Sequence, residues 1–166
     1  MVKLDFTPDS DWLEKHQNDN FQAATAVQLS TSIFPGDQLF EVSGADFSIV
    51  GYKIALLEFA RGLLQAIERA ATSGYGETHP LDVYERIKFH RDGDDVVVKS
   101  DFADAAARCP LSELKAKIRR NASALLKYFL DARPEARENG ELYRWYGAAD
   151  LGEGNLFADA AKGNED

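Results

Sequence analysis

The sequence predicts an α+β fold, a two-layer sandwich in which a mostly antiparallel sheet of about four or more strands carries two main helices on one face. Three observations lead there. Two long segments, SIVGYKIALLEFARGLLQAI and LSELKAKIRRNASALLKYFL, repeat apolar residues every three or four positions, the helical period. Each is preceded by two short runs rich in β-branched and aromatic residues, the composition of strands. Turn chemistry separates the paired runs, PGD in the first pair and RDGDD in the second. The resulting order is strand, strand, helix, strand, strand, helix, with no internal repeat.

Taken in order, a short amphipathic opening around Asp11 to His16 leads into ATAVQLSTSIF, whose alternation predicts a strand. Pro35-Gly36-Asp37 predicts a turn, and QLFEVSG resumes the extended pattern, so the two runs are expected to form a hairpin. Ser48 offers an N-cap for the central helix, whose stripe contains Ile49, Tyr52, Leu56, Ala60, Leu63 and Ile67. Gly74 supplies its stop. The second helix is expected from Ser112, with Leu114, Ile118, Ala122, Leu125 and Phe129 on one face and the lysines and arginines largely off it. Pro134 predicts a break and a new short helix. Residues 1–146 form one expected domain, and 147–166 an acidic, loosely ordered tail.

KFHRDGDDVVVKS, residues 88–100, most resembles a chemical motif. With Asp92-Gly93 as a two-residue loop, Arg91 would face Asp94, His90 would face Asp95 and Phe89 would face Val96. That pairing gathers Val83, Ile87, Phe89, Val96, Val98 and Phe102 on one face; Tyr84, Arg86, Lys88, His90, Asp95, Lys99 and Asp101 fall on the other. A calcium loop needs alternating carboxylates, glycine at the sixth position and glutamate at the twelfth, which HRDGDDVVVKSD lacks. The motif therefore predicts a hairpin turn, with no metal and no cofactor expected.

The 166 residues carry a formal net charge of −9. Residues 1–50 hold two basic groups against eight acidic ones, whereas 111–146 hold eight against five. Nucleic acid needs a concentrated positive field, so it is not the expected ligand; an acidic surface suits a basic protein partner. The most apolar stretch is interrupted by Lys53, Glu58 and Arg61, which predicts a buried helix and no membrane span. The amino terminus lacks a secretory pattern and Cys109 is the single cysteine, so the expected compartment is the cytosol.

Cys109, next to Arg108, has the setting of an activated thiol, but no family signature joins it to His16, His79 or His90; a small residue in a loop is expected. SGYGE and LGEGN lack the context of a phosphate loop and read as connectors. ELYRWYG has the residue types of interface anchors and equally those of a terminal clamp.

The layout SIFPGDQLFEVSG into SIVGYKIALLEFARGLLQAI, then YERIKFHRDGDDVVVKS into PLSELKAKIRRNASALLKYFL, resembles small bacterial α/β immunity proteins of polymorphic or contact-dependent toxin systems. The resemblance covers roughly residues 25–131 and lies in arrangement, not in an invariant motif. It implies a cytosolic, non-enzymatic inhibitor that binds a cognate basic toxin domain, often a nuclease. On that reading Asp92, Asp94 and Asp95 are the first expected contacts, and Tyr143 and Trp145 the second. The alternatives are a small-molecule enzyme using Tyr84, His90 and Asp101 on the exposed hairpin face, and a structural subunit self-associating through its aromatic tail.

Overall fold

The computed structural model describes residues 1–31, 34–80, 84–147 and 157. The fold is α+β, with antiparallel four-stranded sheets on one side and helices packed against them on the other. The first sheet holds β1 (Val2–Pro8), β2 (Pro35–Val42), β3 (Ala45–Asp46) and β4 (Ile49–Ala55). The second holds β5 (Tyr75–Thr78), β6 (Ile87–Asp92), β7 (Asp95–Ser100) and β8 (Ala106–Pro110), hydrogen-bonded in that order. Helices α1 (Ser10–Lys15) and α2 (Ala26–Thr31) lie between β1 and β2, α3 (Leu56–Ser73) joins the sheets, and α4 (Leu111–Ala132) and α5 (Gly140–Tyr146) follow β8. The order strand, strand, helix, strand, strand, helix can be traced through β2, β4, α3, β6, β7 and α4, though its first two strands are not the segments expected, and it is enlarged by β1, β3, β5 and β8.

Several local expectations are overturned. The segment expected as a first strand contains α2, because Thr25 and Gln28 form a capping box: Gln28 N donates to Thr25 Oγ1 at 3.3 Å, and Thr25 N to Gln28 Oε1 at 2.9 Å. Ser32 and Ile33 lie outside the described residues. The strand that pairs with β2 along its length is instead β1, whose strict alternation buries Val2, Leu4 and Phe6. Pro35-Gly36-Asp37 is the start of β2, not a turn. Gly36 is needed there because a Cβ would lie 2.6 Å from Leu56 Cδ1 and 2.9 Å from Pro8 Cα.

The central helix starts at Leu56, not after Ser48. Ser48 Oγ accepts from Phe40 N at 2.9 Å, which ties it to β2, and Gly51 and Lys53 have φ of 85° and 54°, outside a right-handed helix. The apolar period seen over 49–55 therefore belongs to a strand. From Leu56 the helix buries Leu57, Phe59, Ala60, Leu63, Ile67 and Ala70, and it ends as expected at Gly74, whose φ is 87° and whose N–H reaches Ala70 O at 3.1 Å. Its face is broad because the second sheet and α4 both pack on it.

SGYGE is not a connector: Tyr75–Thr78 pairs with β6 from Tyr75↔His90 to Thr78↔Ile87. A Cβ on Gly76 would enter the Ala66 backbone, so glycine lets β5 lie directly on α3. Helix α4 begins at Leu111 and buries Leu114, Ile118, Ala122, Leu125 and Phe129, the predicted face. Lys115 and Arg119, off that stripe, reach Glu68 of α3 at 2.7 and 2.9 Å and link the two helices. The break at Pro134 is a 3₁₀ turn, Pro134–Glu138, before α5. Of the expected tail, only Gly147 and Phe157 are described, and Phe157 is buried. Among the described residues no helix is long and apolar enough to cross a membrane.

Candidate functional site

The acidic motif is a hairpin, in a register two residues away from the expected one. Asp92 pairs with Asp95, Arg91 with Val96, His90 with Val97 and Phe89 with Val98, so the loop is Gly93-Asp94. A two-residue slide keeps every side chain on its face, and Ile87, Phe89, Val96 and Val98 are fully buried as predicted. The sorting of apolar from polar residues therefore could not fix the register; the turn did. Gly93 has φ 65° and takes the first central position, the glycine-first pattern of a II′ loop. Phe102 lies beyond the end of β7 and is part-exposed instead of on the buried face, and Val83 falls outside the described residues.

The slide also replaces the expected charge pairs. Arg91 donates from Nε to Gly93 O at 2.9 Å and from Nη1 to Ala71 O at 2.7 Å, bracing the loop against the end of α3. Arg108, on β8, bonds Asp92 and lies 3.4 Å from Asp95 Oδ2. Leu111 N donates to Asp94 O at 3.0 Å, fastening the loop to the first residue of α4. Among the described residues the Asp94 carboxylate alone of the three has no salt-bridge partner.

Tyr143 and Trp145 sit on α5. Asn139, itself buried, caps that helix by accepting from Glu141 N and Leu142 N at 2.9 and 3.0 Å, while its amide donates to Phe21 O and Ala24 O at 2.8 Å. Tyr146 is buried and its hydroxyl donates to Leu57 O; burial raises its pKa. Trp145 is half-buried under the Arg61 guanidinium, 4.5 Å from the ring centre, and Tyr143 packs edge-on against Phe157 at 5.8 Å. The aromatic group is thus a clamp on α3 that leaves Tyr143 42% exposed. It grips α3 at Leu57 and Arg61, whereas the acidic loop braces on Ala71. Ten helical residues separate those points, about 15 Å at 1.5 Å per residue, so the two expected contact groups do not form one cluster.

Tyr84, His90 and Asp101 are not brought together either. Tyr84 is 99% exposed and outside any strand, His90 packs tilted against Tyr75 with ring centres 4.9 Å apart, and Asp101 is taken by Lys88. Cys109 lies in β8, not a loop, and its burial pushes the thiol up to about 11, which keeps it protonated. Among the described residues no group of three or more His, Cys, Asp or Glu is placed to hold a metal ion.

The two sheets turn very different faces to solvent. The outer face of the second sheet carries Glu77, Asp92, Asp95 and Asp101 against Arg86, Lys88, Lys99 and Arg108, with Arg86 on Glu77 at 3.1 Å. The outer face of the first is acidic and partly apolar, a feature that element-by-element sequence reading missed. Register aligns Lys3 with Glu41, Asp5 with Leu39 and Glu41 with Asp46, so these side chains share a face with Asp37. Opposite Asp37 the pairing of β2 with β4 jumps from Gly36↔Ile54 to Gln38↔Ile49, and residues 50–53 bulge outward. The single signal for this in the sequence was Gly51, set among residues that otherwise suit a helix.

Comparison with protein-family models, with curated proteins and with solved structures finds no match to this chain.

Proposed function

We propose that this chain is a non-covalent inhibitor of the immunity-protein kind, which binds a basic toxin domain in the cytosol and blocks its working surface. The observation that carries the reading is the construction of the acidic loop. Arg91, Arg108 and the Leu111 N–H hold Gly93-Asp94 from three sides, so the carboxylate of Asp94 is displayed on a stiff support. A contact already ordered before binding loses little conformational freedom on association. A nuclease is the toxin class that fits best, because a site built for phosphate is itself basic. Asp94 would be the leading contact, Asp92 and Asp95 would add charge partly offset by Arg108, and Tyr143 and Trp145 would lie at the far end of a larger footprint.

The experiment is co-purification with the product of the adjacent gene, followed by an assay of that product's activity with and without this chain. A stable complex with stoichiometric loss of activity is expected; no complex and full activity would sink the proposal. Changing Asp92→Asn, Asp94→Lys and Asp95→Lys together should slow association at low salt, and unchanged rates would move the interface off this loop.

A further inference from the structure

The outer face of the first sheet has features that packing alone does not explain. Asp37 accepts from Gly51 N at 2.8 Å, folding the 50–53 bulge over that face beside Leu39. The bulge ends in Lys53, a non-glycine residue at φ 54°, a left-handed conformation that such residues rarely adopt and that persists only when its surroundings impose it. Here Asp37 holds Gly51, and the Lys53 ammonium lies 3.4 Å from Asp9. The strained segment displays Val50 and Tyr52, 54% and 66% exposed, and Leu39, on the same face of β2 as the Asp37 that holds Gly51, is 47% exposed. Lys53 supplies the charge that blunts a sheet edge, but the exposed Val50 and Tyr52 are not needed for that role.

The charge around these residues is one-sided. Asp5, Asp37, Glu41 and Asp46 lie on this face and Asp9 beside the bulge, and the basic groups near them are Lys3, Lys53 and Lys15, already spent on Glu41 at 2.7 Å, on Asp9 and on Asp11. Asp5, Asp37 and Asp46 accept from the backbone N–H groups of Phe6, Gly51 and Ser48, and among the described residues they have no salt-bridge partner. Bonds from Ser48, its hydroxyl first and its N–H second, hold the Asp46 pKa below the ordinary value and keep it ionised. A second copy of this chain would bring the same negative face and be repelled; a basic protein surface would be steered in.

We propose that this face is a docking surface for a basic protein segment, with Tyr52 and Val50 as its apolar anchors and Asp5, Asp37 and Asp46 as its charge-matching rim. It is a surface distinct from the acidic loop, so it stands or falls apart from the immunity reading. The test uses the full chain, immobilised, as bait for a displayed library of short random peptides. Enrichment of Lys- and Arg-rich peptides carrying an apolar residue is expected, with binding weakened about tenfold or more by Tyr52→Asp and by Val50→Asp. Asp94→Lys should leave that binding unchanged, and circular dichroism of all three variants should match the parent. No enrichment, or peptides indifferent to Tyr52→Asp and Val50→Asp, would overturn the proposal. So would a concentration-dependent dimer in sedimentation that Tyr52→Asp abolishes, since the occupant would then be a second copy.

Discussion

The two sheets meet the helical layer in the same way and face solvent in opposite ways. Each packs through a glycine that a methyl group would block, Gly36 between the Leu56 side chain of α3 and the Thr7–Pro8 backbone of β1, and Gly76 directly on the Ala66 backbone of α3. Each contributes alternate side chains to one continuous core, Phe40 and Val42 from the first and Phe89 and Val98 from the second. Outside, the second sheet spends its charges on itself through Arg86 with Glu77, Lys88 with Asp101 and Arg108 with Asp92. Among the described residues the first leaves Asp5, Asp37 and Asp46 without a salt-bridge partner, on a sheet that also exposes Leu39, Val50 and Tyr52. The core constrains only the inner face of each strand, so the outer face is where the sheets were free to diverge.

The sharpest way to break this comparison is in the core, where both sheets should respond alike. Phe40→Ala and Phe89→Ala each remove a fully buried ring and should each cost about 3–5 kcal/mol in urea unfolding. A sheet that tolerates its substitution is not part of the shared core. Gly36→Ala and Gly76→Ala should follow at about 1–3 kcal/mol, the first by pushing β2 off the Thr7–Pro8 backbone of β1 and the Leu56 side chain, the second by forcing β5 off α3. A neutral result at Gly76 would show that the second sheet does not rest on α3 through its glycine, and one at Gly36 that β1 and β2 are not packed that closely.

Smaller effects sharpen the electrostatic side. Burial pushes Glu68 up, but Lys115 and Arg119 outweigh it and hold its pKa below the ordinary carboxylate value. A depressed carboxylate adds stability above its unfolded pKa, and that contribution is lost as pH falls through its folded pKa. Glu68→Gln should therefore destabilise modestly at neutral pH, and the gap from the parent should close in acid; a gap that stays constant with pH would contradict the pairing. Because the Glu68 side chain is 41% exposed, solvent screens this effect. Smallest of all, Leu39→Ser and Tyr52→Ser should shift stability by no more than about 0.5 kcal/mol, since neither side chain supports the core. A loss of several kcal/mol at Tyr52 would make it a structural residue and remove the case for an anchor.

What could be read from the sequence was whatever one local pattern determines. The faces of α4 and of the β6–β7 hairpin follow from periods of 3.6 and 2, and both were found. What failed required a choice between patterns. Residues 49–55 carry apolar spacing compatible with a helix, and it is the pairing with β2, with the bonds from Phe40 N to Ser48 and from Gly51 N to Asp37, that decides for a strand. ATAVQLST alternates like a strand, yet the Thr25 and Gln28 capping box was present in the sequence and names a helix start. The pairing of β1 with β2 joins Val2 to Val42 across 40 positions, and no local pattern reports a partner so distant. The candidate site was legible only in part. The acidic loop stood out as composition, but its neutralisation by Arg108 depends on β8, and the acidic face of the first sheet exists only once three strands are in register.

The central claim is that the proposed contacts fall on the acidic loop and, separately, on the first-sheet bulge, while the middle of the second sheet around Glu77, Lys88 and Lys99 stays free. Amide hydrogen exchange of the chain, alone, with the co-purified basic partner and with a selected basic peptide, tests it directly. Protection is expected at residues 92–95 with the partner and at 49–53 with the peptide, with amides along Glu77, Lys88 and Lys99 unchanged in both. Protection centred on those second-sheet residues, with the bulge and the loop exchanging as in the free chain, would contradict it.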